Sequence, residues 1–343
     1  MTANDTTQSS GNQNAASSSS KELTGKDAET VVLLAKKERL KKREKTVLIV
    51  AGCILLALTV GIAVYAAVFL NMVDEEISLP SKLEEELKEV LVLPDHSNDP
   101  FYMLVIGSDS RDPSSPEAGL SDTIMLVRVD PGEPQLTIVS VPRDIEIWLD
   151  GYGSQKINAS FHYGGPVGAV SAVSGLCGVP ISYYLEIDFP GLISLVDTLG
   201  GIDVYVPMDI DLDGVYIPAG EQHLNGAQAL IMSRCRSFPT GDLVRVENQR
   251  IIIQAIVKKV LATDIISMPN LITELAYNVR TTMDVTQAID LAMKFRGMSP
   301  ESMFMATIPV EFNEHDGVSY LRTVEPDFSE MMARIEQGLP PVG

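Results

Sequence analysis

The stretch SRCRSFPTGDLVRVENQR, residues 233–250, gathers Arg234, Arg236 and Arg245 in a chain whose formal net charge is −20. Guanidinium groups collected in one place suit an anion, because each offers a planar fork of donors to phosphate or carboxylate oxygens. Arg234 and Arg236 are two apart, the spacing of one strand face. Asp242, Arg245 and Gln249 fall at i, i+3 and i+7, the spacing of one helix face. Pro239, Thr240 and Gly241 supply a turn between the two. The stretch therefore predicts a strand, a turn and a helix that converge on one spot.

Other charged groups stand where strands begin or end. GSDSRD (107–112) follows an apolar strand and LSD (120–122) opens the next, which allows Asp109 and Asp122 to lie side by side. Two carboxylates there suit a hard divalent ion such as Mg²⁺ or Mn²⁺. SVPRDIEI ends a strand at Pro142 and presents Arg143 and Asp144, and KINAS places Lys156 ahead of a helix N-terminus, which also favours an anion. Taken singly, each has a plain structural reading: Asp in turns and caps, a surface ion pair for Arg143, a solvated Lys156. Pooled, two carboxylates with Lys156 and four arginines suit a pyrophosphate whose leaving phosphate must be neutralised. The chain has no GxxxxGK(S/T) phosphate loop, no GxSxG and no nucleophile beside a histidine, so those routes to nucleotide hydrolysis and acyl transfer are not supported.

The elements that must position these groups alternate. FYMLVIG, DTIMLVRVD, QLTIVSV, IEIWL, ISYYLEI, IDVYV and MFMATIP read as strands. INASFHYGGPVGAVSAVSGLCG, FPGLISLVDTLGG, LNGAQALIM and DLVRVENQRIIIQAIVKKVLA read as helices. This alternation predicts an α/β domain with a mixed central sheet flanked by helices. The order of the strands does not follow from it. Upstream, SKLEEELKEVLVL opens with Ser81 and Glu84 in a capping-box pattern and carries the stripe Leu83, Leu87, Val90 and Leu91, a short stalk helix that packs on the domain or on another copy of the chain.

The N-terminal residues 1–46 are a tail that is Ser-, Asn- and Gln-rich at first, too poor in large apolar groups to fold, and ends in the basic run KKERLKKREK. Residues 47–70 then run without a charge, long enough to span a bilayer as one helix. The basic flank places the tail in the cytoplasm and everything after residue 70 outside the cell membrane. A cleaved signal peptide fits less well, because the apolar run is long and far from the start. The expected plan is a cytoplasmic tail (1–46), a transmembrane helix (47–70), a stalk (71–97) and an outer catalytic domain (98–343). That outer part carries 17 basic and 40 acidic residues, which argues against nucleic acid as a partner. Cys177 and Cys235 lie outside the span; two buried free thiols are the simpler reading, a bridge the other.

FYMLVIGSDSR, SDTIMLVRVDP, SVPRDIEI, YGSQKINASFHYGGP, VDTLGGIDVYVP, GEQHLNGAQAL and GDLVRVENQR occur in the order found in LytR-CpsA-Psr proteins, over about residues 101–262. The chain resembles that family. The resemblance implies a phosphotransferase that moves a secondary wall glycopolymer, a teichoic acid, capsule or similar polymer, from undecaprenyl pyrophosphate to peptidoglycan, with the polyprenyl tail in a hydrophobic tunnel. It implies Asp109 and Asp122 as the Mg²⁺-associated pair. Arg143, Lys156, Arg234, Arg236, Arg245 and Gln249 match pyrophosphate and head-group ligands, and Asp242 an acidic residue that orients the arginines or assists proton transfer. Leu120 stands where such proteins usually carry Arg, and Arg111 is the candidate substitute. Two other readings share these residues: a polyprenyl-pyrophosphate phosphatase with water as acceptor, and a non-catalytic lipid-binding regulator of the membrane.

Overall fold

The computed structural model describes residues 59, 70, 72–73, 79–108, 121–235, 242–262, 279–315 and 317–342, with the backbone alone at Asp122, Asp242 and Leu243. In chain order these form α1 (Ser81–Lys88), β1 (Phe101–Ser108), β2 (Ser121–Asp130), β3 (Gln135–Ser140), β4 (Glu146–Leu149) and β5 (Gly153–Lys156). Next come α2 (Ala159–Cys177), β6 (Tyr183–Asp188), α3 (Phe189–Thr198), β7 (Ile202–Val206), β8 (Ile210–Leu212), β9 (Val215–Ile217) and β10 (Gly220–Leu224). The remainder is α4 (Gly226–Arg234), α5 (Asp242–Ala262), β11 (Val279–Thr281), α6 (Val285–Phe295), β12 (Met303–Thr307), β13 (Val310–His315), β14 (Val318–Thr323) and α7 (Asp327–Glu336). The chain divides into two units, Met1–Ala66 and Ala67–Gly343, and all of these elements belong to the second.

Six strands form one mixed sheet in the order β11-β6-β1-β2-β3-β12. β1 and β6 are parallel, as are β3 and β12, while β2 runs against both of its neighbours. β1, β3, β6 and β12 therefore point the same way and end on one edge of the sheet. The expected mixed sheet with covering helices is present. Two of the expected strands lie elsewhere: β4 pairs only with β5, and β7 only with β10, in separate two-stranded ribbons.

Alternation along the strands splits the sheet into two unlike faces. Leu104 and Ile106 of β1, Ile124 and Leu126 of β2 and Tyr184 of β6 pack under α2 and α7 with Phe161, Val170, Phe328 and Ile335. Among the described residues the opposite face is packed at one end, where Phe101, Val129 and Tyr183 meet Phe295 and Leu261, and borders the cavity described below along the rest. α2 is kinked inside, where Gly165 takes φ 57° and Pro166 can donate no backbone hydrogen bond.

Of the two partners expected for the stalk helix, the structure shows the domain. Leu87 of α1 is fully buried in the same core as α2, so α1 is part of the domain. A side chain of that size fully withdrawn from water contributes about 1.5–3 kcal/mol. The expected capping box is absent, because Pro80 is the N-cap and Ser81 is already inside the helix. Cys177 and Cys235 are free and buried in different clusters, and burial pushes the Cys177 thiol up to about 12. No helix among the described residues is long and apolar enough to cross a membrane; the apolar run 47–70 lies outside them except for Thr59 and Leu70. Leu70 and Val73 pack with Val285 and Ile289 of α6.

Candidate active site

The carboxyl ends of parallel strands are where an open α/β sheet leaves room for a ligand. Here that edge carries Ser108 at the end of β1, Asp188 at the end of β6 and the Val141–Pro142–Arg143 turn after β3, with Ser121 beginning β2 beside them. The β1–β2 register slips between Gly107 and Ser108: Thr123 pairs with Gly107 and Ser121 with Ser108. Asp122 is the extra residue of this bulge, a device that re-aims the chain beside functional sites. Gly107 is required there, because a Cβ would stand 2.9 Å from the Thr123 Cβ. Behind the edge, Ser108 and Tyr184 both donate to the buried Glu186, at 2.9 and 3.0 Å. Burial, with the Glu186 charge beside it, raises the Tyr184 hydroxyl well above its usual range, so it stays a donor.

The open face of the sheet is the floor of an apolar cavity of about 860 Å³. Met103, Val105 and Gly107 of β1 and Leu185 and Ile187 of β6 form the floor; Leu192 of α3, Ile252 and Ile256 of α5 and Ile289 of α6 belong to the cover. α5 runs along it. Its Leu261 packs near Phe101 and Val129, at the far end of the sheet from Gly107 and Ile187. At ~1.5 Å per residue, the sixteen steps from Arg245 to Leu261 cover about 24 Å.

Polar groups on the wall are few. Arg245 and Gln249 line the cavity one turn apart on α5, with Ser233 and Arg234 from the end of α4, Asp188, and Asp213 from the β8–β9 turn. Arg245 is only 2% exposed. Gln249 donates to the Ser233 carbonyl at 3.3 Å and Asn248 to the Met232 carbonyl at 3.2 Å, so α5 caps the last turn of α4 and fixes the two arginine-bearing helices to each other. Arg234 donates to Asp213 at 3.2 Å and its guanidinium lies 5.7 Å from the centre of the Phe189 ring.

The expected helix face of Arg245 and Gln249 is present. The strand expected for Arg234 is not: Asn225 and Gln228 close a capping box, and the helix they start continues through Arg234. A cation in that last turn is favoured by the helix dipole. Arg250, one residue beyond Gln249, bonds Glu247 and does not line the cavity. Arg143 and Lys156 are brought together by Asp144: Lys156 Nζ lies 2.8 Å from Oδ1 and Arg143 Nε 3.8 Å from Oδ2. This pair stands on the turn after β3 and on β5, outside the cavity lining.

Asp109, Arg111, Leu120 and Arg236 lie outside the described residues, as do the side chains of Asp122 and Asp242. Among the described residues no group of three or more carboxylate, histidine or cysteine side chains could hold a metal ion. Asp188 is the described carboxylate nearest in chain register to the β1 end, and it already accepts from Gly191 N at 2.8 Å as the cap of α3. Sequence reasoning missed Asp188 and Asp213. The signals were present: EIDFPG sets a cap after a strand, and IDLDGVYI carries the Asp-Gly of a two-residue hairpin, where Asp213 and Gly214 take φ 52° and 78°.

The family model described as LytR_cpsA_psr matches residues 66–337. A protein of Enterococcus faecalis named polyisoprenyl-teichoic acid–peptidoglycan teichoic acid transferase TagU is 30% identical over 304 residues, 87% of this chain and 98% of its own. Its namesake from Bacillus mycoides is 31% identical over 225 residues, 65% of this chain and 73% of its own. Among solved structures, TagV of B. subtilis is 27% identical with a TM-score of 0.63, covering 71% of this chain and 98% of that one. A Streptococcus agalactiae protein, gbs0355, is 28% identical with a TM-score of 0.63, covering 70% and 88%.

Proposed function

The chain belongs to the LytR-CpsA-Psr family, and from that premise we propose that it is a membrane-anchored phosphotransferase that moves a wall glycopolymer of the teichoic acid kind from a polyprenyl-pyrophosphate carrier to peptidoglycan. The observation that carries this reading is the coupling of an apolar cavity of about 860 Å³ to a buried guanidinium, Arg245. A long hydrocarbon fits the apolar part without polar partners. Its pyrophosphate fits the end where Arg245, Arg234 and Gln249 converge.

In the proposed reaction a hydroxyl of peptidoglycan attacks the phosphorus that bears the glycopolymer. A new P–O bond forms to the acceptor, the P–O bond to the bridging oxygen breaks, and polyprenyl phosphate leaves with the electron pair. Arg245 and Arg234 meet the growing negative charge on that leaving phosphate, where a preorganised donor in a dry site acts most strongly. Arg143 and Lys156, preset by Asp144, receive the transferred phosphate from the other side. Asp242 takes the hydroxyl proton. Mg²⁺, or Mn²⁺, at Asp109 and Asp122 is part of the proposal, and when bound it would add a further positive charge at the phosphates.

The test is a purified full chain given polyprenyl-pyrophosphate-linked polymer and peptidoglycan. Polymer linked covalently to the wall supports transfer. Free phosphorylated polymer alone would make water the acceptor and the protein a phosphatase. Unchanged donor would leave only a lipid-binding role.

A further inference from the structure

Transfer needs two substrates, and the cavity accounts for the lipid end of one. The second must approach from solvent. On the outside of the domain, three aromatic rings stand exposed on the β4–β5 hairpin and the adjoining first turns of α2: Trp148 is 74% exposed, Tyr152 52% and Tyr163 44%. Apolar side chains scattered singly over a surface need no explanation, but a cluster of rings does. Tyr152 and Tyr163 stack with centroids 3.9 Å apart and planes at 17°, and His162 meets Tyr163 edge-on at 5.0 Å. This stack ties the hairpin tip to α2 and holds its rings ready without burying them.

The hairpin register shows what the indole is attached to. Glu146 pairs with Lys156 and Trp148 with Ser154, so alternation puts Glu146, Trp148, Ser154 and Lys156 on one face. Trp148 is one pleat repeat, about 7 Å along the strand, from the Glu146–Lys156 pair. Lys156 in turn holds Asp144 beside Arg143. The middle of this face is rigid: Glu146 accepts from Ser154 Oγ and from Asn313 at 2.7 Å, and contacts His315 at 2.6 Å. The face thus leads from an exposed indole to the Lys156–Asp144–Arg143 group, which the proposed reaction assigns to the transferred phosphate.

We infer that this hairpin face, with the Tyr152–Tyr163 stack beside it, is a saccharide platform that receives the glycan strand of the acceptor. The inference rests on the reading of the protein as a glycopolymer transferase and names the site of its second substrate. A pyranose ring has an apolar C–H face that packs on an aromatic ring and hydroxyls at its rim that need polar partners, and an aromatic with a polar neighbourhood offers both. At the indole end of this face the charge pattern suits a neutral glycan, while Lys156 and Arg143 stand at the other end, paired through Asp144. The hairpin has Glu146 and the exposed Asp150 and no Lys or Arg from 145 to 155. An anionic bilayer surface or a phosphate-rich polymer would call for cations there.

Trp148 is the only tryptophan in the chain, so its emission reports on this face without a label. The experiment titrates the full chain, in nanodiscs and in detergent micelles, with a soluble oligomer of N-acetylglucosamine while Trp148 emission and acrylamide quenching are followed. The expected result is a saturable blue shift with protection from acrylamide. Tyr152→Ala should weaken the apparent affinity roughly two- to tenfold, the range of one aromatic stacking contact. Tyr205→Ala, exposed to a similar degree on β7 in a separate two-stranded ribbon, should not change it. Trp148 emission that ignores the oligomer would overturn the inference. So would an indole already shielded by the bilayer in nanodiscs and open in micelles, since the platform would then be a membrane contact. Neither readout needs turnover: a responsive Trp148 in a chain that transfers nothing would sink the transferase reading alone, and an unresponsive one in an active enzyme the platform alone.

Discussion

Replacing Arg245 by Lys keeps the charge in the wall of the cavity and removes the planar fork. Arg245 is 2% exposed, so whatever it donates to a phosphate it donates away from water. A hydrogen bond with a charged partner is worth about 1.5–3 kcal/mol, and a lysine keeps the point charge while losing at least one arm of the fork. Each 1.4 kcal/mol or so is tenfold in rate, so Arg245→Lys should lower kcat/KM for cleavage of a short-chain polyprenyl-pyrophosphate saccharide by about ten- to a hundredfold. Because the charge moves onto the leaving phosphate during reaction, the loss should fall on kcat more than on KM. Arg234 is held by Asp213 in an ion pair whose side chains are 43% and 56% exposed, so water screens it and Arg234→Lys should cost several-fold less. Arg250, bound to Glu247 and off the cavity wall, is the control, and Arg250→Lys should be near normal. All three need parent-like thermal melts. Turnover of Arg245→Lys within twofold of the parent would refute the placement of the pyrophosphate at this end of the cavity.

Chelation by EDTA should abolish cleavage, and Asp109→Ala or Asp122→Ala should do the same with the fold intact; full activity in EDTA removes the metal from the scheme. Val105 lies on the cavity floor in the central strand, so Val105→Phe fills existing space and should raise KM for a long-chain donor more than for a short one; equal effects on both would mean that the chain lies elsewhere. Hydrogen bonds from Ser154, and then His315, hold Glu146 below its usual carboxylate value. Its contribution to stability is complete above that usual value and disappears as pH falls through the lowered one, so the melting difference between parent and Glu146→Gln should shrink toward zero in acid. A difference that stays constant from neutral to acid pH contradicts this. Protease added to intact protoplasts should digest residues 71–343 and spare the N-terminal tail; the reverse pattern would invert the topology.

Much of this was legible in one dimension because its causes are local. A run such as FYMLVIGS has nowhere to go but a buried strand, and Arg245 and Gln249 share a helix face because 3.6 residues make a turn. The order of short polar motifs at the ends of those elements was enough to point to the family. Local pattern misplaced Arg234, since two-residue spacing looks like a strand until the capping box at Asn225 is weighed with the helix-forming residues after it. It left open whether α1 packs on the domain or on another copy, because an amphipathic stripe says that a face will be buried and not against what. Strand order, the meeting of Arg143 and Lys156 over Asp144, and the docking of α5 onto the end of α4 all depend on residues far apart in the chain, and no periodicity encodes those pairings. The cavity is the furthest from the sequence. Both faces of the sheet alternate in similar apolar residues; one is packed by α2 and α7, and on the other, among the described residues, α5 and α6 bury one end and elsewhere line a cavity without filling it.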